Sequence, residues 1–383
     1  MAEPIDIRPL HVGKFVPPPY AGVEAHVDTL LRALLPDVRA TLLAGASPVA
    51  AAAVPSDRPY RTLVARSYGK LASVTLSPGV LSMARQELSC GRSNLLHIHA
   101  PNPWGDLAAL ACPRDVPVVM SWHSDIVRQR HLMKVYKYLQ RRVLARADRI
   151  IVFTPRHYES SAQLHELNVA SKIAYVPMGI DFGGLDQGYA DVTMAARLKA
   201  WARERPLLLT VGRHVYYKGY DYLLAAMARL RSETVLVMVG AGGLTPALQQ
   251  QVRDLGLESR VLFLGEVDKA ALVAALHACD MFALPSIAPS EAFGIASAEA
   301  MACGKPTIVC QLHNGVNYLN REGETSVVVP PRQVTALADA VDTLALDEGL
   351  RRGMGRAASA WVRSEFSLDA MKQGTLTLYR SLY

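Results

Sequence analysis

The chain has 383 residues, half of them hydrophobic and a fifth charged, which allows two domains with ordinary globular cores. No run of about eighteen apolar residues occurs, so no membrane-spanning helix is expected, and "MAEPIDIRPLHVGKF" does not read as a signal peptide. The net charge of +7 is local: seven Lys/Arg and no acid lie between Ile126 and Ala147, and the other 34 Lys/Arg match the 34 Asp/Glu. In chain order, "IRPLHVGKF" reads as a strand and "VEAHVDTLLRALLP" as an amphipathic helix stopped by Pro36. "ATLLAG", "NLLHIHA", "VPVVMSWH" and "RIIVFT" read as further strands, and "KIAYVPMGI" closes the first half. The second half repeats the rhythm. "PLLLTVGR" and "TVLVMVGAGG" are strands, each followed by a helical pattern, "GYDYLLAAMARL" and "PALQQQVRDLG". "VLFLGEV", "MFALPS", "PTIVC" and "SVVVPP" follow as strands. Strands apolar on both faces mean parallel sheets covered by crossover helices. Two doubly wound α/β domains are therefore expected, joined near "GIDFGGLDQGY", with ligands in a cleft at the strand C-termini.

Five cysteines, Cys90, Cys112, Cys279, Cys303 and Cys310, form no CxxC pair and sit in apolar contexts. They are expected as buried reduced thiols, which fits a cytoplasmic compartment.

Three stretches carry chemistry. In "TVGRHVYYKGYDYLL" Arg213 and Lys218 fall between a strand and a helix start, where cations suit a phosphate; two surface cations in a loop fit the spacing as well. In "PSEAFGIASAEAMACGKPTIV" Glu291 stands in a loop and Glu299 on the helix that begins near Gly294. Ionised carboxylates accept from hydroxyl groups, so phosphate and hydroxyls together suggest a nucleotide sugar. A capping carboxylate and a solvated helix Glu are the plain alternative. Gly22 opens a helix after the first strand, where a glycine permits close approach of a ligand. No G-x-G-x-x-G follows that strand, so nicotinamide binding is discounted. His97 and His99 share one strand face, but a metal site lacks a convincing third ligand. His123 leaves its strand toward the expected cleft. No D-x-D occurs, which disfavours enzymes that hold a metal through such a pair.

Together "GRHVYYKG", "EAFGIASAEAMACGKP", "GETSVVVPP", "AGVEAH", "HIHAPNP", "SWHSD" and "VPMGID" resemble glycosyltransferase family 4, retaining enzymes of GT-B architecture. The resemblance implies an N-terminal acceptor-binding domain over 1–184 and a nucleotide-sugar-binding domain over 185–364. A last helix over 365–383 would cross back to the first domain. It implies that Arg213 and Lys218 hold the donor diphosphate and that Glu299 binds the ribose. Glu291 would contact the transferred sugar with the N–H groups of Phe293, Gly294 and Ile295. His123 would touch that sugar near the reacting carbon, Gly22 would lie by the phosphates, and Val267 by the base. No cofactor or metal is implied. "YAGVE" departs from the pattern, with Ala21 where many relatives have a second glycine.

Arg130, Lys134, Lys137 and Arg141 share one helix face, and Arg128 and Arg142 flank it. A solvated charged face competes with contact to an anionic membrane; nucleic acid is disfavoured, since no stacking aromatics accompany the charges. "WHSDIVRQR" and "LQRRVLARADRIIVFTPRHYESS" are similar to bacterial mannosyl- and rhamnosyltransferases of surface-polysaccharide assembly. The expected activity is transfer of a hexose from a GDP-sugar, with a UDP-sugar as alternative, to a polyprenyl-diphosphate-linked glycan at the inner face of the cytoplasmic membrane. A GT-B epimerase and a non-enzymatic membrane adaptor are the competing readings.

Overall fold

In the computed structural model, residues 6–16, 22–46, 58–71, 74–126 and 130–383 are described. They form two compact units, Met1–Gly179 with Leu368–Tyr383, and Ile180–Ser367.

The first unit runs β1 (Pro9–Phe15), α1 (Gly22–Leu34), β2 (Thr41–Gly45), β3 (Arg61–Ala65) and an antiparallel pair, β4 (Lys70–Leu71) and β5 (Val74–Thr75). Then come α2 (Gly79–Ser89), β6 (Leu95–Ala100), α3 (Pro103–Ala111), β7 (Val118–Trp122), α4 (Arg130–Arg146) and β8 (Arg149–Val152). Two short helices, α5 (Pro155–Glu159) and α6 (Ala162–Glu166), precede β9 (Ile173–Tyr175). The sheet order is β3-β2-β1-β6-β7-β8-β9, all parallel. The order reverses at β1/β6, the topological switch point, where ligand crevices of open α/β sheets lie.

The second unit runs α7 (Val192–Ala202), β10 (Leu207–Val211), α8 (Tyr220–Met227), β11 (Val235–Val239), α9 (Thr245–Asp254), β12 (Val261–Gly265) and α10 (Lys269–Ala278). It continues through β13 (Met281–Leu284), α11 (Ile295–Ala302), β14 (Thr307–Cys310), α12 (Gly315–Leu319), β15 (Ser326–Val329), α13 (Val334–Leu346) and α14 (Glu348–Glu365). The parallel order β12-β11-β10-β13-β14-β15 puts the switch point at β10/β13. All five residues of β11 are buried, as helices on both faces require.

Several helices start at side-chain caps. Asp191, Asp268 and Asp347 each accept an N–H of the first turn of α7, α10 and α14. Each unit has its own apolar core, one around Leu96, Met120 and Ile150, the other around Leu208, Leu236 and Met281. The last helix, α15 (Leu368–Arg380), returns to the first unit: Lys372 pairs with Asp37 at 2.6 Å, and Tyr379 is fully buried there. Among the described residues no helix is long and apolar enough to cross a membrane.

The elements β3, β4, β5 and α2 lie outside the strands and helices expected from the sequence. β3 is an edge strand with intermediate burial, so its apolar pattern is weak. One cysteine expectation is corrected. All five are free thiols, but Cys303 is half-buried at the C-terminus of α11, and Cys90 is exposed, because it caps the C-terminus of α2 rather than packing beneath it.

Candidate active site

In the second unit, the two loops that follow the switch-point strands β10 and β13 lock together. Gly212 follows β10 at φ +149°, and a Cβ there would lie 2.9 Å from Tyr220 Oη and 3.2 Å from Lys218 Nζ. The missing side chain lets Lys218 fold back over the strand end. Gly219 has φ +66°, and its hydrogen faces the Pro285 carbonyl, which a Cβ would meet at 2.3 Å. The Ile287 N–H donates to the Tyr217 carbonyl at 2.8 Å, tying the loops.

This docking pairs Lys218 Nζ with Glu291 Oε2 at 2.6 Å, both side chains about nine-tenths buried. Ser286 Oγ donates to the same carboxylate oxygen at 3.1 Å. Burial alone would lower the Lys218 pKa, but the Glu291 carboxylate outweighs it and holds the ammonium charged, its pKa above the ordinary lysine value. Asn314 Nδ2 donates to the Glu291 carbonyl at 2.7 Å while its Oδ1 caps α12. Arg213 stands exposed on the same loop and makes no ion pair among the described residues.

Past Glu291, the chain turns into α11 through Gly294 at φ +86°. The Phe293 ring is buried against Phe366, centroids 5.2 Å apart, so only its backbone faces the turn. Among the described residues no hydrogen bond closes on the N–H groups of Phe293, Gly294 or Ile295, which stand at a helix start where anions are favoured. Glu299 lies on α11 with Lys269 Nζ at 3.6 Å; burial pushes its carboxyl above the usual range, and Lys269 opposes the shift. Val267 sits half-buried between β12 and the cap residue Asp268. The structure thus gathers Arg213, Lys218 and Glu291 on the two locked loops, with Phe293 to Ile295 at the turn, and sets Glu299 and Val267 on neighbouring segments. Asn314, Ser286 and Lys269 were not read from the sequence. Asn314 and Lys269 reach their site residues from elements distant in the chain, so no local pattern marks them; Ser286 stands on the same loop as Glu291, five residues before it, where a serine after a strand carries no signal of its own.

In the first unit, Gly22 is the exposed first residue of α1, and Ala21 lies outside the described residues. His123 follows β7 and is only 6% exposed. Its ring lies 5.2 Å from that of His26 on α1 and 5.1 Å from that of Phe153. His26 was not singled out by the sequence; a lone histidine on a helix carries no signal. Asp125 is spent on anchoring, accepting from Trp122 Nε1, Ser161 Oγ and the Gln163 N–H.

The expectation that His97 and His99 lack a third ligand is corrected. β1 pairs with β6 so that His11 and His97 are direct partners, and nitrogens of His11, His97 and His99 lie within 4.8 Å of one another. Strand order, not sequence spacing, supplies His11. Every ring nitrogen of the three is already committed to a neighbouring side chain.

The basic helix α4 also needs correction. Its acid-free sequence is partly balanced by Glu166 of α6, at 4.0 Å from Lys137 Nζ and 3.5 Å from the Arg141 guanidinium. Arg142 is exposed, the side chains of Arg130 and Lys134 are not described, and Arg128 lies outside the described residues.

Six buried imidazoles are expected to make the first unit sensitive to acid. Burial lowers His11 to about 3, and His26 and His157 to about 4; it holds His97, His99 and His123 well below the ordinary value, with neighbouring imidazoles adding to the shift. Below about pH 6.5 each binds its proton only on unfolding. Their stability contribution is therefore complete above about 6.5 and is lost as pH falls, at about 1.4 kcal/mol per pH unit for each imidazole. Asp106, raised by burial to about 7 although Tyr136 donates to it, opposes this with one proton over about pH 4 to 7. Thermal unfolding followed between pH 8 and 5 is expected to show Tm dropping steeply once pH passes below about 6.5.

Comparison with known proteins follows the same division. Residues 20–183 match the family Glycosyltransferase Family 4, and residues 196–361 match Glycosyl transferases group 1. The chain is 35% identical to the D-rhamnosyltransferase WbpZ of Pseudomonas aeruginosa over 301 residues, 78% of this chain and 76% of that protein. It is 28% identical to the O-antigen chain mannosyltransferase C of Escherichia coli, over 98% of this chain and 99% of that one. Among solved structures, Anabaena HepE in complex with UDP and glucose superimposes with a TM-score of 0.79 at 21% identity, covering 98% of this chain and all of that one. Sucrose-phosphate synthase from Thermosynechococcus elongatus does so with a TM-score of 0.80 at 20% identity, covering 98% and 99%. Two doubly wound sheets with a returning last helix, matched over both halves, show that the chain belongs to the family 4 glycosyltransferases and has their GT-B fold.

Proposed function

We propose that the protein is a retaining, metal-independent hexosyltransferase that moves a mannose- or rhamnose-like sugar from a GDP-sugar onto a lipid-linked glycan during O-antigen or related polysaccharide assembly. The observation that carries the reading is the buried Lys218–Glu291 pair beside the open N–H groups of 293–295, at the switch point of the second sheet. The rhamnosyl- and mannosyltransferase relatives support the sugar class.

In this reading Arg213 and Lys218 hold the donor diphosphate, Glu299 takes the ribose hydroxyls, and Val267 lies by the base. Glu291 and the amides of Phe293, Gly294 and Ile295 grip the hexose, His123 touches it near the reacting carbon, and Gly22 lies close to the phosphates. The glycosidic bond to the diphosphate breaks early, leaving an oxocarbenium-like sugar. The two cations offset the negative charge that develops on the leaving phosphate, and preorganised cations do this without reorganisation cost. The acceptor hydroxyl attacks the same face, and the departing phosphate takes its proton. The test is transfer from GDP-mannose, GDP-rhamnose and UDP-glucose to a polyprenyl-diphosphate glycan with EDTA present. The expected product keeps the donor's anomeric configuration; an inverted product, or activity abolished by EDTA, would refute the mechanism.

We further propose that Arg128, Arg130, Lys134, Lys137, Arg141 and Arg142 bring α4 to an anionic membrane surface. Glu166 weakens this field without cancelling it, since it meets two of the six. Flotation with phosphatidylglycerol vesicles is expected at low salt and is lost at high salt. Absence of flotation at low salt would remove the membrane from the account.

A further inference from the structure

Six side chains inside the first unit are joined end to end. Ser121 Oγ lies 2.8 Å from His97 Nε2, and His97 Nδ1 lies 2.5 Å from Tyr379 Oη. Tyr379 Oη lies 3.2 Å from His11 Nε2, His11 Nδ1 lies 3.0 Å from His99 Nε2, and His99 Nδ1 lies 3.1 Å from His123 Nε2. The participants come from β1, β6, β7, the residue just after β7, and α15, and all are buried. Strand register sets His11 beside His97 and His99 beside Ser121; the period of two turns His97 and His99 to one face; and α15 inserts Tyr379 between the two halves.

We propose that His11, His97, His99 and Tyr379 are positioning residues for His123, acting as one hydrogen-bonded chain that sets which ring nitrogen of His123 carries the proton. The proposal rests on the reading of His123 as a sugar contact. A neutral imidazole has one donor nitrogen and one acceptor nitrogen. The three inner rings use both nitrogens within the chain, and the Tyr379 hydroxyl donates once and accepts once. Only two arrangements satisfy every link and also use the Tyr379 proton within the chain. In one, Ser121 donates to His97 Nε2, and each bond points toward His123; all four rings then carry their proton on Nδ1. In the other, His123 Nε2–H donates to His99, each bond points toward Ser121, and all four rings carry it on Nε2. Any mixture leaves a buried donor facing a donor, an acceptor facing an acceptor, or, where the Tyr379 oxygen accepts from both His97 and His11, the Tyr379 proton without a link in the chain, each of which is costly in a dry interior. His123 therefore presents Nδ1 as a fixed donor or a fixed acceptor, decided by the chain behind it.

Imidazole nitrogen NMR on the full-length protein labelled at histidine tests this. The expected spectrum shows one tautomer shared by His11, His97, His99 and His123. Tyr379→Phe keeps the ring and removes the oxygen that joins the halves. His97 is then expected to separate from the other three, with mixed tautomers at His123, kcat about tenfold lower and donor KM unchanged. Ser121→Ala, which removes the far end and leaves every ring, is expected to shift the tautomer balance in the same signals. Unequal tautomers among the four rings in the wild type, or His123 signals unchanged in both variants, would overturn the proposal. His123→Ala separates the two claims: full activity there, with uniform tautomers in the wild type, would sink the sugar-contact reading while leaving the chain in place.

Discussion

Arg213→Ala and Lys218→Ala are each expected to lower kcat by about 100-fold, the size of loss seen when one preorganised charge-stabilising group is removed. The two variants differ in stability, and the difference follows from burial. Arg213 is exposed and makes no ion pair among the described residues, so its loss should leave Tm within about 1–2 °C of the wild type. Lys218 is the buried partner of Glu291, and removing it strands a carboxylate that, among the described residues, only Ser286 still serves. Breaking a buried pair this way costs about 3–5 kcal/mol. The double variant Lys218→Ala with Glu291→Ala should recover part of that stability and none of the rate, because the stranded charge is gone while the cation is still missing. Steady-state kinetics and thermal unfolding of the four proteins check the pattern. Full turnover by both single variants would sink the assignment of these cations to the leaving diphosphate.

Gly219→Ala is expected to damage both stability and rate, although its side chain touches no ligand. At φ +66° an alanine pays the left-handed penalty of about 1–2 kcal/mol. Its methyl would also sit 2.3 Å from the Pro285 carbonyl oxygen, a backbone atom that moves only with its loop. The combined loss should be on the order of 3 kcal/mol. Because the Tyr217–Ile287 hydrogen bond and the Lys218–Glu291 pair both cross the same junction, parting the loops misplaces Lys218. A displacement of about 1 Å in a positioning group costs about 100-fold in rate. Gly188→Ala is the matched control. That glycine has no Cβ neighbour within 4 Å and no positive φ, so its replacement should be silent in Tm and kcat. A Gly219→Ala protein with wild-type Tm and kcat would show that the two loops are not rigidly joined.

Much of this was legible in the sequence, for identifiable reasons. β11, "VLVMV", is apolar at every position because both its faces are covered, and that pattern alone announces a central parallel strand. The glycines at 219 and 294 stand at strand-to-helix junctions where left-handed backbone is needed, so the loops around Lys218 and Glu291 could be placed before any coordinates. What was not legible depends on partners distant in the chain. His11 joins His97 and His99 only because β1 lies beside β6, an order that local periodicity does not encode. Glu166 reaches Lys137 and Arg141 from another helix, so the charge run looked less balanced than it is. Asn314 supports the Glu291 backbone from the turn after β14, and Tyr379 reaches the histidines from the last helix. A side chain that acts by tertiary contact carries no mark in its own neighbourhood.

On the proposed reading the second unit binds a nucleotide sugar through Lys218, Arg213 and Glu299. The most direct test is the melting temperature of the wild type and of Arg213→Ala with GDP, UDP, ADP and TDP and their common sugar conjugates. At about 100 times its dissociation constant a ligand adds about 2.7 kcal/mol of stability. A clear rise in Tm is expected with one nucleotide family, GDP first, and a much smaller rise in Arg213→Ala at the same concentration. No rise with any nucleotide, or an equal rise in the variant, would contradict it.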